Sequence, residues 1–308
     1  MPAVHISLRN FSGLTMYQFQ SVAPLQALDH AYAAKEMKIG SKVEGQGPAV
    51  VLLHSSMGSK SQWRTLIEAM RSTHRLIAID LYGYGDSVMP ESGDRHSLVD
   101  EVRLVQSKLE QILSPGERFH LVGHSFGGGV ALRLAHADPG RICSLALYEP
   151  TAFHLLGKDD PVLDDIRAVA HASKVATHQG QSQRATEMFI DYWGGKGTYA
   201  ALPPARQALF ASLLPKVPLD FQALIDDPLR PSDYGRMAVP SCLITGRESP
   251  PCTHAIVSVL AGSLAKSETH AIDAGHMAPV SHPALVNPII ADFIHRIGGP
   301  LRGVSAHR

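Results

Sequence analysis

The sequence is short of cysteine, of charge imbalance and of long apolar runs, and each shortage removes a class of protein. Three cysteines, Cys143, Cys242 and Cys252, form neither a C-x-x-C pair nor a zinc-ligand spacing, which excludes a disulfide framework and a zinc module. Cys143 and Cys242 fall within predicted core strands and are expected to be buried thiols, as a reducing cytosol allows. Lys and Arg number 28, matched by 28 Asp and Glu, so no net charge favours nucleic acid or an anionic membrane. No apolar stretch approaches a membrane span, and the N-terminus lacks a basic segment followed by an apolar one. The expectation is a cytoplasmic chain with no nucleic-acid or membrane partner. Composition says nothing of oligomeric state. Repeats and low-complexity segments are also missing.

What is present is enough apolar sequence, 44% of 308 residues, for one large domain or two small ones. From residue 37 onward, strands and helices alternate. A first strand is expected near Met37–Val43, and Ala49–His54 is a continuous apolar run of buried-strand length. Helical spacing over Ser61–Ser72 leads to a strand at Arg75–Asp80, and a helix over Leu98–Leu113 presents Leu98, Val102, Val105, Leu109 and Ile112 on one face. Strands follow at Phe119–Gly123 and Arg141–Tyr148, with a helix between them to about Ala137. The rhythm breaks over 151–235, where Val162–Val175, Gln183–Trp193 and Ala205–Leu214 have helical spacing among many prolines. Strand and helix resume at Ser241–Thr245, Thr253–Leu264, Glu268–Asp273 and Pro283–Ile297. Alternation of this kind implies an α/β fold, a mostly parallel, doubly wound sheet covered on both faces. The division is an N-terminal extension 1–36 with a possible helix at Ala23–Lys35, a core of 37–150 and 236–298, a helical cap 151–235, and a tail 299–308 expected to be disordered. The cap is expected over the carboxyl ends of the strands, where open α/β sheets place ligands.

One stretch carries the chemistry. Leu121-Val122-Gly123-His124-Ser125-Phe126-Gly127-Gly128 reads Gly-x-Ser-x-Gly between an apolar strand and a helix-period run. That context distinguishes a nucleophile elbow from an ordinary glycine-rich turn. The turn would hold Ser125 with its hydroxyl exposed, with Gly123 and Gly127 where side chains would collide. The helix beginning there would aim its free N–H groups at a forming oxyanion. Serine needs a base. His276, in Asp273-Ala274-Gly275-His276, follows the last strand and so sits at the same sheet edge; most of the other 16 histidines are expected to be surface or packing residues.

Taken in order, His54-Ser55-Ser56-Met57-Gly58, Trp63, Asp80-Leu81-Tyr82-Gly83-Tyr84-Gly85-Asp86-Ser87, the Ser125 elbow and Gly275-His276 resemble the α/β-hydrolase fold superfamily over roughly residues 40–298. The resemblance implies an oxyanion hole made by the N–H groups of Phe126 and Ser56, although Ser55 stands where the family usually has Gly. It leaves Asp80 as the structural tie of a tight glycine loop. It also places an acidic residue at position 249, which here is Ser249. Three readings stay open: Glu149 at the strand end Tyr148-Glu149-Pro150, where some haloalkane dehalogenases of the superfamily carry their acid; Glu248, one residue early; or no acid. With Ser at 125, the alkyl-enzyme chemistry of the Asp-nucleophile dehalogenases and epoxide hydrolases is not expected.

The resemblance therefore implies a serine hydrolase acting on an ester or similar acyl substrate. Ser125 would attack, His276 would move the proton, Glu149 would orient His276, and no metal or organic cofactor would be needed. The partner would be a small acyl molecule, because the cap offers apolar lining from Phe153, Leu155, Leu156, Met188, Phe189, Tyr192, Trp193, Leu209 and Phe210 beyond its own core. The alternatives are a carbon–carbon bond hydrolase on a vinylogous diketone, a cofactor-free perhydrolase or transferase, and a hydrolase-fold small-molecule receptor with little turnover.

Overall fold

Seven strands form one sheet in the order β1-β3-β2-β4-β5-β6-β7. They span Ser41–Glu44 (β1), Ala49–Leu53 (β2), Arg75–Ile79 (β3), Phe119–His124 (β4), Ile142–Tyr148 (β5), Ser241–Gly246 (β6) and Ser267–Ile272 (β7). All neighbours are parallel except β1, which runs antiparallel to β3. The computed structural model describes residues 37–91 and 95–298. The N-terminal extension with its expected helix at Ala23–Lys35, and the tail 299–308, lie outside the described residues.

The helices are α1 (Arg64–Met70), α2 (Leu98–Ile112), α3 (Phe126–Ala137), α4 (Asp164–Gln179), α5 (Ser182–Gly194), α6 (Pro204–Leu213), α7 (Val217–Ile225), α8 (Pro231–Tyr234), α9 (Pro251–Ser263), α10 (Ala278–Ser281) and α11 (Pro283–Gly298). On one face of the sheet, Trp63, Leu66, Ile67 and Met70 around α1 and Val286, Ile290, Phe293 and Ile294 of α11 pack on alternate strand residues such as Leu52, Ala78, Val122 and Ile244. On the other, α3 lies along β4 and β5 and against α2. The central strands β2 and β4 are buried end to end, as a sheet covered on both sides requires. Because β2 leads to β3 on one side while β4 leads to β5 on the other, the chain reverses its order between β2 and β4. A crevice opens at their carboxyl ends.

Expected and observed elements differ mainly at their ends. The first strand is shorter, Ser41–Glu44, and the helix expected from Ser61 opens with a 3-10 turn at Lys60–Trp63. Helices α7, α8 and α10 were not anticipated. Val217-Pro218-Leu219 puts proline in the first turn of α7, where its missing N–H costs nothing, but in the sequence it reads as a break. Cys143 is a correction: it is half-buried rather than buried, while Cys242 is buried as expected. The β4–β5 register skips it, Phe119 facing Ile142 and His120 facing Ser144, so it is the extra residue of a bulge. A second correction concerns apolar length. The continuous helical stretch Pro204–Ile225 is long and apolar enough to cross a membrane by length and composition. That same stretch carries the buried pair Lys216–Asp220 into an ion cluster of the molecule.

Candidate active site

Ser125 stands between β4 and α3 with φ 55° and ψ −120°, a left-handed conformation for a residue that is not glycine. Strain of this kind costs on the order of 1–3 kcal/mol and persists only where the surroundings enforce it. Here they do: a Cβ at Gly127 would lie 2.4 Å from the His54 carbonyl oxygen, and one at Gly123 would lie 2.5 Å from the Gly127 carbonyl oxygen. The Ser125 N–H donates to Tyr148 O at 3.1 Å, tying the turn to the neighbouring strand.

The structure brings Ser125, His276 and Glu149 into one line. The Ser125 hydroxyl lies 2.9 Å from His276 Nε2, and His276 Nδ1 lies 2.6 Å from Glu149 Oε2. A carboxylate can only accept, so Nδ1 carries the proton and Nε2 is free to accept from Ser125. The other Glu149 oxygen, Oε1, accepts from Gly246 N at 2.7 Å and the Thr245 hydroxyl at 2.9 Å. Burial pushes the Glu149 carboxyl up, but the His276 hydrogen bond and charge and the Gly246 N–H outweigh it and hold it below its ordinary range. The buried Ser249 hydroxyl, without a hydrogen-bond partner of ordinary geometry among the described residues, adds a smaller favourable contribution to the same carboxylate. Glu248 is exposed on the loop after β6, its N–H donating to Ala274 O at 3.1 Å.

Strand pairing explains why an acid on β5 reaches this place. Tyr148 faces Ile244 in the parallel β5–β6 register, so Glu149 emerges beside Thr245 and Gly246. Its backbone has φ 42°, which turns the chain out of the strand. Pro150 then packs so tightly on α3 that a Cβ at Gly128 would lie 2.8 Å from Pro150 Cα. His276 is held from behind as well. The His124 ring donates from Nε2 to the His276 carbonyl at 2.9 Å, and the Tyr148 hydroxyl donates to Gly275 O at 2.8 Å. Burial, then the nearby His276, pushes His124 well below its ordinary range, so it stays neutral as a prop.

Phe126 is the first residue of α3, so its N–H is among those with no intrahelical acceptor. Ser56 lies in the loop after β2, with Met57 at φ 56° beside it and a turn closed by Gly58 N donating to Ser55 O at 3.0 Å. Ser55, in place of the usual glycine, is accommodated by Gln62, whose Oε1 accepts from both its N–H (3.1 Å) and its hydroxyl (2.9 Å). Asp80 is the expected tie: its carboxylate accepts from Lys60 N, Lys60 Nζ and Asp86 N.

Above Ser125 lies a narrow cavity lined by Ser56 and by Thr151, Phe153, Phe189, Trp193, Val217, Asp220, Phe221 and Leu224 of the helical insert. The Trp193 ring stacks on the His276 ring, centroids 4.1 Å apart at 29°. Met188 and Leu209, expected among the lining, are exposed instead. Sequence reasoning missed a buried ion cluster at the cavity wall. Lys216 Nζ donates to Glu101 Oε1 at 2.9 Å and to Asp220 Oδ1, and it lies 4.8 Å from the Phe126 ring centroid. Asp220 Oδ2 accepts from Ser56 Oγ at 2.6 Å and Tyr84 OH at 2.5 Å. Two signals were available. Glu101 sits on the apolar stripe of α2 between Leu98 and Val105, and Lys216 and Asp220 are four residues apart.

Cys242, Glu268 and His270 bring ligand atoms within 4.8 Å of one another, away from this site. Arg296 already pairs with Glu268 at 2.6 Å, and burial pushes the Cys242 thiol up to about 12, which disfavours a metal-binding thiolate.

The chain is 22% identical to mouse monoacylglycerol lipase ABHD6 over 81% of its own length and 76% of that protein. Its fold is similar to that of the enol-lactonase from Burkholderia xenovorans LB400, with a TM-score of 0.69 at 19% identity, covering 85% of this chain and 98% of that one. It is likewise similar to the esterase EaEST from Exiguobacterium antarcticum, with a TM-score of 0.68 at 18% identity, covering 84% and 96%. Residues 50–289, from β2 into the first half of α11, match the alpha/beta hydrolase family, and with the strand order and the Ser125 turn described above the chain belongs to that family of hydrolases.

Proposed function

We propose that this chain is a serine hydrolase of small ester or similar acyl substrates, with Ser125 as nucleophile, His276 as general base and acid, and Glu149 as the acid that orients His276. The observation that carries the reading is the unbroken hydrogen-bonded line from Ser125 Oγ through His276 to Glu149 beneath a narrow, mostly apolar cavity. In this reading Ser125 Oγ attacks the acyl carbonyl as His276 Nε2 takes its proton. The N–H groups of Phe126 and Ser56 receive the oxyanion. The new imidazolium is stabilised by Glu149, and the face of Trp193 lies against the same ring. His276 then protonates the leaving group, and water, activated in the same way, releases the acid. Every step uses side chains, backbone and water, so the reading needs no metal or organic cofactor. The helical insert acts as a cap that sets which acyl groups enter, consistent with the eight insert residues among the cavity lining.

The carboxylate within reach of His276 weighs against a receptor that only binds, since a passive pocket has no need of an oriented imidazole. The test is labelling with a fluorophosphonate probe together with hydrolysis of an ester series of increasing acyl length. Rapid labelling at Ser125 and turnover of short acyl esters is the expected result. Slow labelling equal to that of a denatured control overturns the reading. Labelling with turnover only of ring-cleavage diketones would assign the carbon–carbon hydrolase instead.

A further inference from the structure

Among the apolar lining of the cavity stand two buried polar side chains that the proposed reaction does not use. Thr151 is 2% exposed, and its hydroxyl has no hydrogen-bond partner among the described residues. Asp220 is also 2% exposed and lines the same cavity. A buried hydroxyl left unpaired is costly and uncommon, so its presence on a pocket wall points to a partner that arrives with the ligand. The two groups flank the reacting centre rather than the far end of the pocket. Thr151 N–H donates to the Ser125 carbonyl at 3.2 Å, so this residue is tied to the nucleophile itself. The Asp220 carboxyl accepts the hydroxyl of Ser56, whose N–H is assigned to the oxyanion.

We propose that Thr151 and Asp220 form a polar subsite that holds a hydroxyl on the acyl part of the substrate, close to the scissile carbonyl, so that the preferred substrates are 2- or 3-hydroxyacyl esters. This rests on the serine-hydrolase reading above. A hydroxyl suits the pair better than other groups of its size. It can accept from Thr151, the wall without a partner, while donating to a remaining lone pair of Asp220, whose oxygens already accept from Lys216, Ser56 and Tyr84. A carbonyl cannot donate to a carboxylate, and an ammonium cannot accept from Thr151. Burial raises the Asp220 carboxyl above its ordinary range against the opposing pull of Lys216, Ser56 and Tyr84. An unsubstituted acyl chain would bury Thr151 Oγ1 without a partner. Sites built to bond a substrate hydroxyl discriminate strongly against the analogue that lacks it.

The experiment compares kcat/KM of the full chain for methyl butanoate, methyl 2-hydroxybutanoate, methyl 3-hydroxybutanoate, methyl 3-aminobutanoate and glyceryl butanoate, by pH-stat. The expected result is a preference of at least about tenfold for one of the two hydroxybutanoates over butanoate. It should fall below about threefold in Thr151→Val, which keeps the shape and removes the hydroxyl. Asp220→Asn is the second variant. Its folding is checked by circular dichroism because Lys216 loses a buried partner, and where it fails to fold Thr151→Val decides alone. Equal handling of butanoate and both hydroxybutanoates by the wild type overturns the proposal, as does a preference that survives Thr151→Val. Preference for the amino ester overturns the hydroxyl assignment, and preference for the glyceryl ester overturns its placement on the acyl side. Fluorophosphonate labelling of wild-type Ser125 separates the two levels: labelling without hydroxyl preference removes the subsite alone, whereas no labelling removes the hydrolase reading beneath it.

Discussion

The floor of the cavity and its roof are held by different means. On the floor, Ser125 and Glu149 follow strand ends and are fixed by backbone, and His276 sits in the turn after β7 with His124 and Tyr148 bonded to the carbonyls of that turn. Ser125 and Glu149 occupy left-handed φ values of 55° and 42°, and Gly127 and Gly128 let His54 and Pro150 approach closer than any side chain would allow. In the roof, beyond the Thr151 N–H on the Ser125 carbonyl, the helical insert reaches the site through side chains: the Trp193 ring on His276, the stacked rings of Phe153 and Phe221, and the Lys216–Asp220 pair against Ser56. Backbone fixed by close packing can change only by shifting several elements, whereas a side-chain wall changes with one substitution. The floor is therefore suited to a chemistry that stays the same and the roof to a choice of substrate.

The contrast can be broken at several points. Ser125→Ala is expected to lower turnover on the order of 10⁶-fold with the fold retained, measured by ester hydrolysis beside circular dichroism. Near wild-type activity would remove Ser125 from the centre of the floor. Glu149→Gln is expected to cost about 10⁴-fold by favouring the wrong His276 tautomer, and Glu248→Gln to change the rate by less than about twofold. The opposite ranking would move the acid to the β6 loop.

The attachment of the roof to the core has a pH signature. Burial opposes ionisation of Glu101, but the Lys216 charge and His96 outweigh it and bring its carboxyl from 4.5 to about 2. A pKa depressed in the folded state contributes stability that is present above 4.5 and lost as pH falls toward about 2. Above that window the wild type should be several kcal/mol more stable than Glu101→Gln in urea unfolding, since the variant leaves Lys216 with one buried partner fewer. The gap should close as pH falls through the window, and a gap that stays constant would contradict the ion cluster.

Gly128→Ala tests the backbone lock directly. The added methyl meets Pro150 Cα at 2.8 Å, so a loss of about 1–3 kcal/mol in unfolding free energy is expected, together with reduced turnover as Glu149 is displaced. The smallest effects belong to the roof. Phe189→Leu and Leu224→Ala are expected to change acyl-length preference by no more than about tenfold while fluorophosphonate labelling of Ser125 persists. Loss of labelling in both would show that the insert helps to build the floor.

The same division governs what could be read in advance. Ser125 and His276 were legible because a strand–turn–helix with obligatory glycines leaves a local pattern, and the last strand's loop has a fixed place in the chain. Asp80 was legible for the same reason. Glu149 could be named as one of three readings but not chosen, since nothing local to Tyr148-Glu149-Pro150 says which strand lies beside it. The Glu101–Lys216–Asp220 cluster joins residues up to 119 apart in number (101 to 220), and each member alone looks like an ordinary charge on a helix. Cys143 was misjudged because a bulge is a property of two strands together.

By itself, the sequence determined the alternation of apolar strands and amphipathic helices, and with it a mostly parallel sheet, the strained turn at Ser125 and the edge on which His276 would lie. These depend on periodicity and on glycine sterics, which act over a few residues. Only the tertiary structure decided that Glu149 rather than Glu248 meets His276, that Trp193 covers that ring, and that Asp220 touches Ser56. Those pairings depend on strand register and helix packing, which bring together residues that no local pattern links.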